Sequence, residues 1–156
     1  MITVGLTGSI ATGKTEVAKL FAAAGIPVFD SDAEVHALYA GKAAAELLGR
    51  TFPGVVVDGK IDRQRLGQAV LGSPEDLRKL ESLIHPLVRK KQEDFIARWQ
   101  KQRASIVVLD IPLLFETGRE KELDYVIVVS ADGGIQRKRA LARPGTVLLL
   151  VGVTAL

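Results

Sequence analysis

Short apolar runs alternate along the chain with longer segments whose apolar positions recur at helical spacing. The runs are rich in valine and isoleucine and predict buried β-strands over residues 2–7, 26–29, 106–109 and 125–129. After the first run, apolar side chains at helical intervals predict a helix that begins at Lys14 and ends near Gly25. Strands that alternate with helices indicate an α/β fold with a parallel sheet flanked by helices.

The middle of the chain shows mostly helical periodicity. The predicted elements are helices over 32–48 and 63–71, an irregular stretch over 52–62 and, later, a short basic helix over 134–142. Ser73, Pro74 and two acidic residues predict the start of a further helix, because these residue types suit a helix N-terminus. Pro86 is expected to end or kink that helix, since proline lacks the helical N–H, and to begin another that runs to about residue 102.

Composition limits the class of protein. The chain has 156 residues, 47% of them hydrophobic and 25% charged, which is typical of one globular domain. The absence of cysteine excludes disulfides, thiolate metal sites and a cysteine nucleophile. Neither an apolar run of the ~18–20 residues that a membrane span needs nor a secretory signal pattern is found. A cytoplasmic protein without a membrane partner is therefore expected.

The charge balance indicates the kind of ligand. A net charge of +3 with 5% aromatic residues is weak for a nucleic-acid surface, so no nucleic-acid partner is expected. Small anionic ligands explain a modest positive charge equally well. Residues 144–156 form an atypical tail that carries no charge.

The strongest motif lies between the first predicted strand and helix. Gly8 to Thr15 match G-x-x-x-x-G-K-[ST], in which backbone N–H groups and the helix N-terminus surround phosphate groups. Lys14 is expected to reach the β- and γ-phosphates, and the Thr15 hydroxyl to bind Mg²⁺. A plain glycine turn is the alternative, but the complete motif with both flanking elements favours a nucleoside triphosphate site. The candidate nucleotide-binding residues here are Gly8, Ser9, Ile10, Ala11, Thr12, Gly13, Lys14, Thr15 and Glu16. A GTPase is disfavoured because the chain has no asparagine for an Asn-Lys-x-Asp motif.

Carboxylates follow two of the predicted strands, at the end of a parallel sheet where ligands bind. Asp30 and Asp32 follow the second strand, and one of them could accept a proton from an attacking hydroxyl. Capping of the next helix by Asp32 is an equally good interpretation. Asp110 ends the third strand, where an acid can support Mg²⁺, or it is a solvated acid at a strand end.

Two further groups of residues are candidates. His85 precedes Pro86 and is either a structural residue that caps a helix or a ligand-binding residue. Gln136, Arg139 and Arg143 share one helical face, because they are three and four residues apart. Arginines on such a face could stabilise a phosphoryl group in transfer, although a solvated basic face would look the same.

Taken together, these motifs resemble the dephospho-CoA kinase family, whose members use ATP to phosphorylate the ribose 3′-hydroxyl of dephospho-CoA in the last step of coenzyme A synthesis. The resemblance runs in order from Ile2 to Arg143. It rests on the phosphate loop preceded by Val-Gly-Leu-Thr, Asp30-x-Asp32, Gly59-x-x-Asp62-Arg63, Leu80-Glu81-x-x-Ile84-His85-Pro86-x-Val88, Asp110-x-Pro112-Leu113-Leu114-Phe115-Glu116 and Gln136-x-x-Arg139-x-x-x-Arg143.

The resemblance implies a P-loop NTPase fold and a role for each matching residue. Asp32 would accept the ribose hydroxyl proton, Lys14 and Arg139 would stabilise the transferring phosphoryl group, and Thr15 and Asp110 would hold Mg²⁺. The residues implied on the nucleotide side also include Arg143. Those implied on the dephospho-CoA side are Asp32, His36, His85, Arg89, Leu114, Phe115 and Glu116.

The resemblance also implies an organisation for the chain. Residues 1–156 would form a single P-loop kinase domain, with a helical acceptor-binding part over 32–102 and the start of a lid over 134–143. The tail over 144–156 departs from the family, which continues with more lid helix, a strand and a C-terminal helix. Two alternatives therefore stay open: a truncated or inactive nucleotide-binding protein, and another small-molecule or nucleotide kinase of the same group.

Overall fold

The structure is a computed structural model and describes residues 1–142; Arg143, the end of the expected lid and the tail over 144–156 lie outside the described residues. The chain divides into two compact units. Among the described residues, one consists of Met1–Val28 and residues 105–142, and the other of Phe29–Ala104. Within the described residues, no helix is both long and apolar enough to cross a membrane.

The described elements alternate between strands and helices, as an α/β chain does. The strands are β1 (Ile2–Gly8), β2 (Val28–Asp30), β3 (Val56–Val57), β4 (Lys60–Ile61), β5 (Ile106–Asp110) and β6 (Tyr125–Val129). The α-helices are α1 (Lys14–Ala23), α2 (Ser31–Tyr39), α3 (Lys42–Thr51), α4 (Arg63–Val70), α5 (Pro74–Lys101) and α6 (Gly133–Leu141), and a 3₁₀ turn covers Arg119–Glu122.

The four-stranded sheet has the order β2-β5-β1-β6. β1 pairs in parallel with both β5 and β6, so the carboxyl ends of these three strands lie at one edge. Val4, Leu6 and Val108 form the buried core of this unit, and Val17 and Phe21 of α1 pack against them. Both elements turn apolar side chains toward this core. For that reason the apolar residues follow strand spacing in β1 and helical spacing in α1.

One polar contact holds β6 beside β1. The Asp124 carboxylate accepts hydrogen bonds from the backbone N–H of Thr3 (2.7 Å) and from the Thr3 hydroxyl (2.8 Å). These bonds favour the ionised carboxylate and so hold the pKa of Asp124 below its ordinary value. The contact joins residues 121 positions apart in the sequence.

The single helix expected over 32–48 is wrong, because two helices, α2 and α3, occupy this region. Gly41 between them is extended, with φ −87° and ψ 146°, and is the N-cap of α3. Its N–H bonds to the Leu38 carbonyl (2.9 Å), and its carbonyl accepts the first bond of α3, from Ala45 (3.1 Å). A glycine loses more conformational freedom in a helix than other residues do, which favours the break here.

The stretch expected to be irregular contains a small hairpin. β3 and β4 pair antiparallel, with Val56 opposite Ile61. Asp58 and Gly59 join them with φ of 49° and 74°, the left-handed geometry that Asp-Gly hairpin turns adopt.

Of the two expectations at Pro86, an end or a kink of the helix, the end is wrong, as are the new helix expected to begin there and the interpretation of His85 as its cap. α5 runs for 28 residues through Pro86, and His85 lies inside it. Leu80, Ile84 and Val88 are buried at intervals of four residues on one face, and α5 contacts α2, α3 and α4 in the same unit. Burial of a Leu or Val side chain is worth about 1.5–3 kcal/mol, so this face outweighs the one helical hydrogen bond that proline removes.

Candidate active site

The phosphate loop, Gly8–Thr15, connects β1 to α1 through a tightly turned backbone. Gly13 and Ala11 both have positive φ, 102° and 61°. Thr12 closes the turn, because its hydroxyl donates to the Ser9 carbonyl at 2.9 Å. Successive backbone turns of this kind direct N–H groups toward one concave surface, which suits a phosphate group.

The first glycine of the loop is required by its neighbours. A Cβ atom at Gly8 would lie 2.5 Å from the carbonyl oxygen of Val129 in the adjacent strand. Because the clashing atom belongs to the backbone of β6, no side-chain rotation could relieve the contact. The loop can therefore leave the sheet at this point only with glycine.

An ion pair joins the loop to the neighbouring strand. The Lys14 ammonium contacts the Asp110 carboxylate at the carboxyl end of β5. Asp110 is only 7% exposed, so it is not the solvated strand-end acid that was one interpretation of the sequence. The pair places a cation and a carboxylate beside the phosphate loop, where a triphosphate and its metal ion would need both.

The two residues after Lys14 begin α1. Thr15 is exposed, so its hydroxyl is accessible to a ligand at the helix N-terminus. Glu16 pairs with Lys19 at 2.8 Å on the exposed face of the helix. Within residues 1–142, no group of three or more histidine, aspartate or glutamate side chains could hold a metal ion.

Helix α6 is attached to the phosphate loop. The Gln136 amide donates to the carbonyl of Ile10 at 2.7 Å. Nη1 of Arg139 lies 3.9 Å from the position that a Cβ of Gly13 would take. The basic helical face predicted from the sequence therefore meets the loop, and Arg139 brings a positive charge to it.

The two acids after β2 have different roles in the local structure. Asp30, and not Asp32, caps α2, because its carboxylate accepts a hydrogen bond from the Ala33 N–H at 2.9 Å. Asp32 lies in the first turn of α2 and is exposed. Among the described residues, its carboxylate forms no hydrogen bond or ion pair. The capping interpretation of Asp32 is therefore wrong, and its carboxylate is available to a ligand.

The expected acceptor-side residues of the second unit are all exposed. His36 lies on α2, and its Nδ1 is 3.3 Å from Nη1 of Arg63 at the start of α4. His85 and Arg89 lie on α5, where Arg89 is 3.6 Å from Glu93. Arg63 was not identified as a site residue from the sequence, although it belongs to the Gly59-x-x-Asp62-Arg63 motif.

The segment after β5 alternates between buried and exposed side chains. Leu114 is fully buried and lies beneath Gly5 of β1, whose Cβ would be 3.2 Å from it. Leu113 and Phe115 are 62% and 52% exposed, and Glu116 is also exposed. Leu113 has φ of 53°, an uncommon conformation for a residue with a side chain, which tends to occur at functional sites. The sequence pattern selected Leu114, Phe115 and Glu116. Of these Leu114 is buried, and the accessible apolar side chains are Phe115 and Leu113, the second of which was not selected.

This difference in burial predicts that two alanine substitutions lower the stability by unequal amounts. We expect Leu114→Ala to lower the free energy of unfolding by about 2–5 kcal/mol, because it leaves a cavity in the core. Phe115→Ala should change it by less than about 1 kcal/mol, since an exposed side chain loses few contacts. Urea unfolding followed by circular dichroism measures both. Equal losses of stability in the two variants would contradict the placement of these side chains.

Comparisons with known proteins agree with this geometry. The family model described as dephospho-CoA kinase matches residues 2–148. Dephospho-CoA kinases of Brucella melitensis and Mesorhizobium japonicum are 53% and 56% identical over 145 residues, which cover 93% of this chain and 72% and 73% of those proteins.

Solved structures show the same fold. The crystal structure of TT1252 from Thermus thermophilus has a TM-score of 0.82 and 38% identity, and the match covers 96% of this chain and 77% of that one. Dephospho-CoA kinase from Campylobacter jejuni has a TM-score of 0.64 at 18% identity, with 96% of both chains covered, and supports the fold alone. The family match over nearly the whole chain, together with relatives of which it covers more than two thirds, shows that this chain belongs to the dephospho-CoA kinase family.

Proposed function

We propose that this protein transfers the γ-phosphoryl group of ATP to the ribose 3′-hydroxyl of dephospho-CoA, which gives coenzyme A and ADP. The observation that carries the proposal is a complete phosphate loop whose Lys14 pairs with Asp110, in a chain of the dephospho-CoA kinase family. A small-molecule acceptor follows from the same membership. A cytoplasmic location is part of the proposal.

In the proposed reaction, one residue acts on the acceptor and two act on the phosphoryl group of the nucleotide. Asp32 accepts the proton of the ribose 3′-hydroxyl while the hydroxyl oxygen forms a bond to the γ-phosphorus. The bond from that phosphorus to the β-phosphate oxygen breaks, and ADP leaves. Lys14 and Arg139 stabilise the negative charge on the phosphoryl oxygens, which is the main catalytic requirement of such a transfer.

Magnesium fits the oxygen donors of the first unit. Mg²⁺ prefers oxygen ligands and is bound by one or two protein groups together with phosphates and water, so it does not need a cluster of carboxylates. The Thr15 hydroxyl at the start of α1 and the Asp110 carboxylate at the end of β5 are the candidate ligands. The ion would neutralise charge on the β- and γ-phosphates.

The acceptor side is proposed to include the exposed residues that the resemblance implies. His36, His85 and Arg89 offer hydrogen-bond donors and positive charge for an anionic acceptor, and Phe115 and Leu113 offer apolar surface for its uncharged part. Leu114 supports this segment from within the core.

The proposed function is tested by incubating the protein with ATP, MgCl₂ and dephospho-CoA and measuring coenzyme A by chromatography. We expect steady formation of coenzyme A with equimolar ADP. Parallel reactions with adenosine, AMP and CMP as acceptors should give rates at least about 100-fold lower, because an acceptor that leaves polar groups of the site unpaired is strongly rejected. Binding of ATP without transfer to any acceptor, beside an active relative, would contradict the proposal. Faster transfer to a nucleotide than to dephospho-CoA would show that the acceptor is a nucleotide.

A further inference from the structure

Arg63 and His36 form a contact whose chemistry selects one tautomer of the neutral histidine. Nη1 of Arg63 lies 3.3 Å from Nδ1 of His36. A guanidinium group has only N–H donors and does not lose its proton in proteins. Nδ1 must therefore accept the hydrogen bond, and the proton of the neutral imidazole resides on Nε2. His36 is held as a donor through the nitrogen that faces away from Arg63.

The surroundings of Arg63 argue against a purely structural contact. Arg65, Arg89 and Arg119 each lie within 4 Å of a carboxylate on their own helix or turn, Asp62, Glu93 and Glu122 respectively. Arg63 forms no ion pair with any residue of 1–142 and is exposed. The guanidinium of Arg63 contacts the His36 imidazole instead of a carboxylate. A surface contact of this kind contributes little to stability.

A third polar group lies beside this pair. Tyr39 follows His36 on the last turn of α2. Burial raises the pKa of the Tyr39 hydroxyl, and the positive charge of Arg63 opposes that rise. Asp62 does not neutralise Arg63, because its carboxylate caps α4 by accepting the Arg65 N–H at 3.0 Å. The second unit thus presents a guanidinium, an imidazole N–H and a phenol with no carboxylate paired to the guanidinium.

We propose that Arg63 is a positioning residue that fixes His36 as the Nε2–H tautomer, and that the two side chains bind phosphate oxygens of the acceptor. The proposal rests on the proposed function, since dephospho-CoA carries a diphosphate group. Arginine suits this role because its fork of donors serves phosphate and histidine at once. Positively charged donors without a carboxylate partner gain most from an anionic ligand.

The first test measures the tautomer and needs no activity. The chain contains two histidines, so long-range ¹H–¹⁵N spectra of the protein labelled on histidine nitrogen resolve both. At pH 8 we expect His36 almost entirely as Nε2–H. His85 has no hydrogen-bond partner within residues 1–142 and should show a larger share of the Nδ1–H tautomer than His36 does. Arg63→Met should move the nitrogen shifts of His36 toward those of His85, and Arg63→Lys should restore them in part. Arg65→Met is the matched control and should leave them unchanged.

The second test measures acceptor recognition. Hydrogen bonds to charged groups are worth enough that Arg63→Met should raise KM for dephospho-CoA about 10-fold or more. We expect kcat and KM for ATP to change by less than about 2-fold, and Arg65→Met to match the wild type.

Three results would overturn the inference. They are wild-type nitrogen shifts of His36 in Arg63→Met, a change of tautomer without any change in KM for dephospho-CoA, and an equal effect of Arg65→Met. A wild-type protein without turnover would contradict the proposed function alone. In that case, titration with inorganic pyrophosphate decides the inference: it should shift His36 in the wild type and not in Arg63→Met, and an unshifted His36 in the wild type would overturn it.

Discussion

Lys14→Met is expected to lose phosphoryl transfer and also to destabilise the fold. The substitution removes the cation that we propose faces the β- and γ-phosphates, and removal of one such group costs about 10²–10³-fold in rate. It also leaves Asp110, whose side chain is only 9% exposed, without its ammonium partner. Removing one member of a buried pair costs about 3–5 kcal/mol. The Lys14 side chain is 17% exposed. Because the pair is therefore not fully buried, we expect a loss of stability near the lower end of that range. Steady-state kinetics and urea unfolding measure the two losses separately.

A second substitution separates the two effects. Lys14→Met combined with Asp110→Asn also removes the buried carboxylate charge that faced Lys14, so we expect much of the lost stability to return while transfer stays lost. Lys19→Met is the matched control, since Lys19 forms an exposed pair with Glu16 on the same helix and exposed pairs contribute about 0–1 kcal/mol. If the double variant recovers transfer, Lys14 has no role in binding the phosphates. If Lys14→Met is as stable as the wild type, the ion pair does not support the fold.

Asp32→Asn is expected to lower kcat by about 10²–10⁴-fold, the contribution of a general base. Asparagine keeps the size and polarity of the side chain but cannot accept the hydroxyl proton at neutral pH. The affinity for ATP, measured by calorimetry, should change by less than about 2-fold, because Asp32 is assigned to the acceptor. The free energy of unfolding should fall by no more than about 1 kcal/mol, the worth of an exposed carboxylate in the first turn of a helix, since this carboxylate forms no hydrogen bond or ion pair with the described residues.

The neighbouring acid provides the control for this experiment. Asp30→Asn removes the same charge two residues away, and asparagine caps a helix about as well as aspartate. We expect its turnover to stay within about 3-fold of the wild type and its stability to be unchanged. Equal losses of turnover in Asp30→Asn and Asp32→Asn would mean that local charge, and not proton transfer, explains the effect. A fully active Asp32→Asn would show that another group accepts the proton.

The phosphate loop and the strands could be predicted from the sequence because their information is local. A strand, five loop residues and a helix occupy consecutive positions, and the spacing of Gly8, Gly13 and Lys14 is that of a loop whose backbone suits a phosphate. The bounds of β6 were predicted correctly and those of β5 to within one residue, since a buried parallel strand is a short apolar run. The same kind of reasoning was wrong at Pro86, because it weighed one lost hydrogen bond and could not see the face that α5 buries.

The sequence by itself determined the α/β class, the position of the phosphate-loop motif and the family. The tertiary structure alone decided which side chains are available for chemistry. It assigned the helix cap to Asp30 and left Asp32 accessible, and it buried Leu114 while exposing Leu113 and Phe115. It also brought His36 within 3.3 Å of Arg63, 27 residues further along the chain. The physical reason is that periodicity and motif spacing encode contacts between residues a few positions apart. Burial, pairing and tautomer depend on which distant elements pack together.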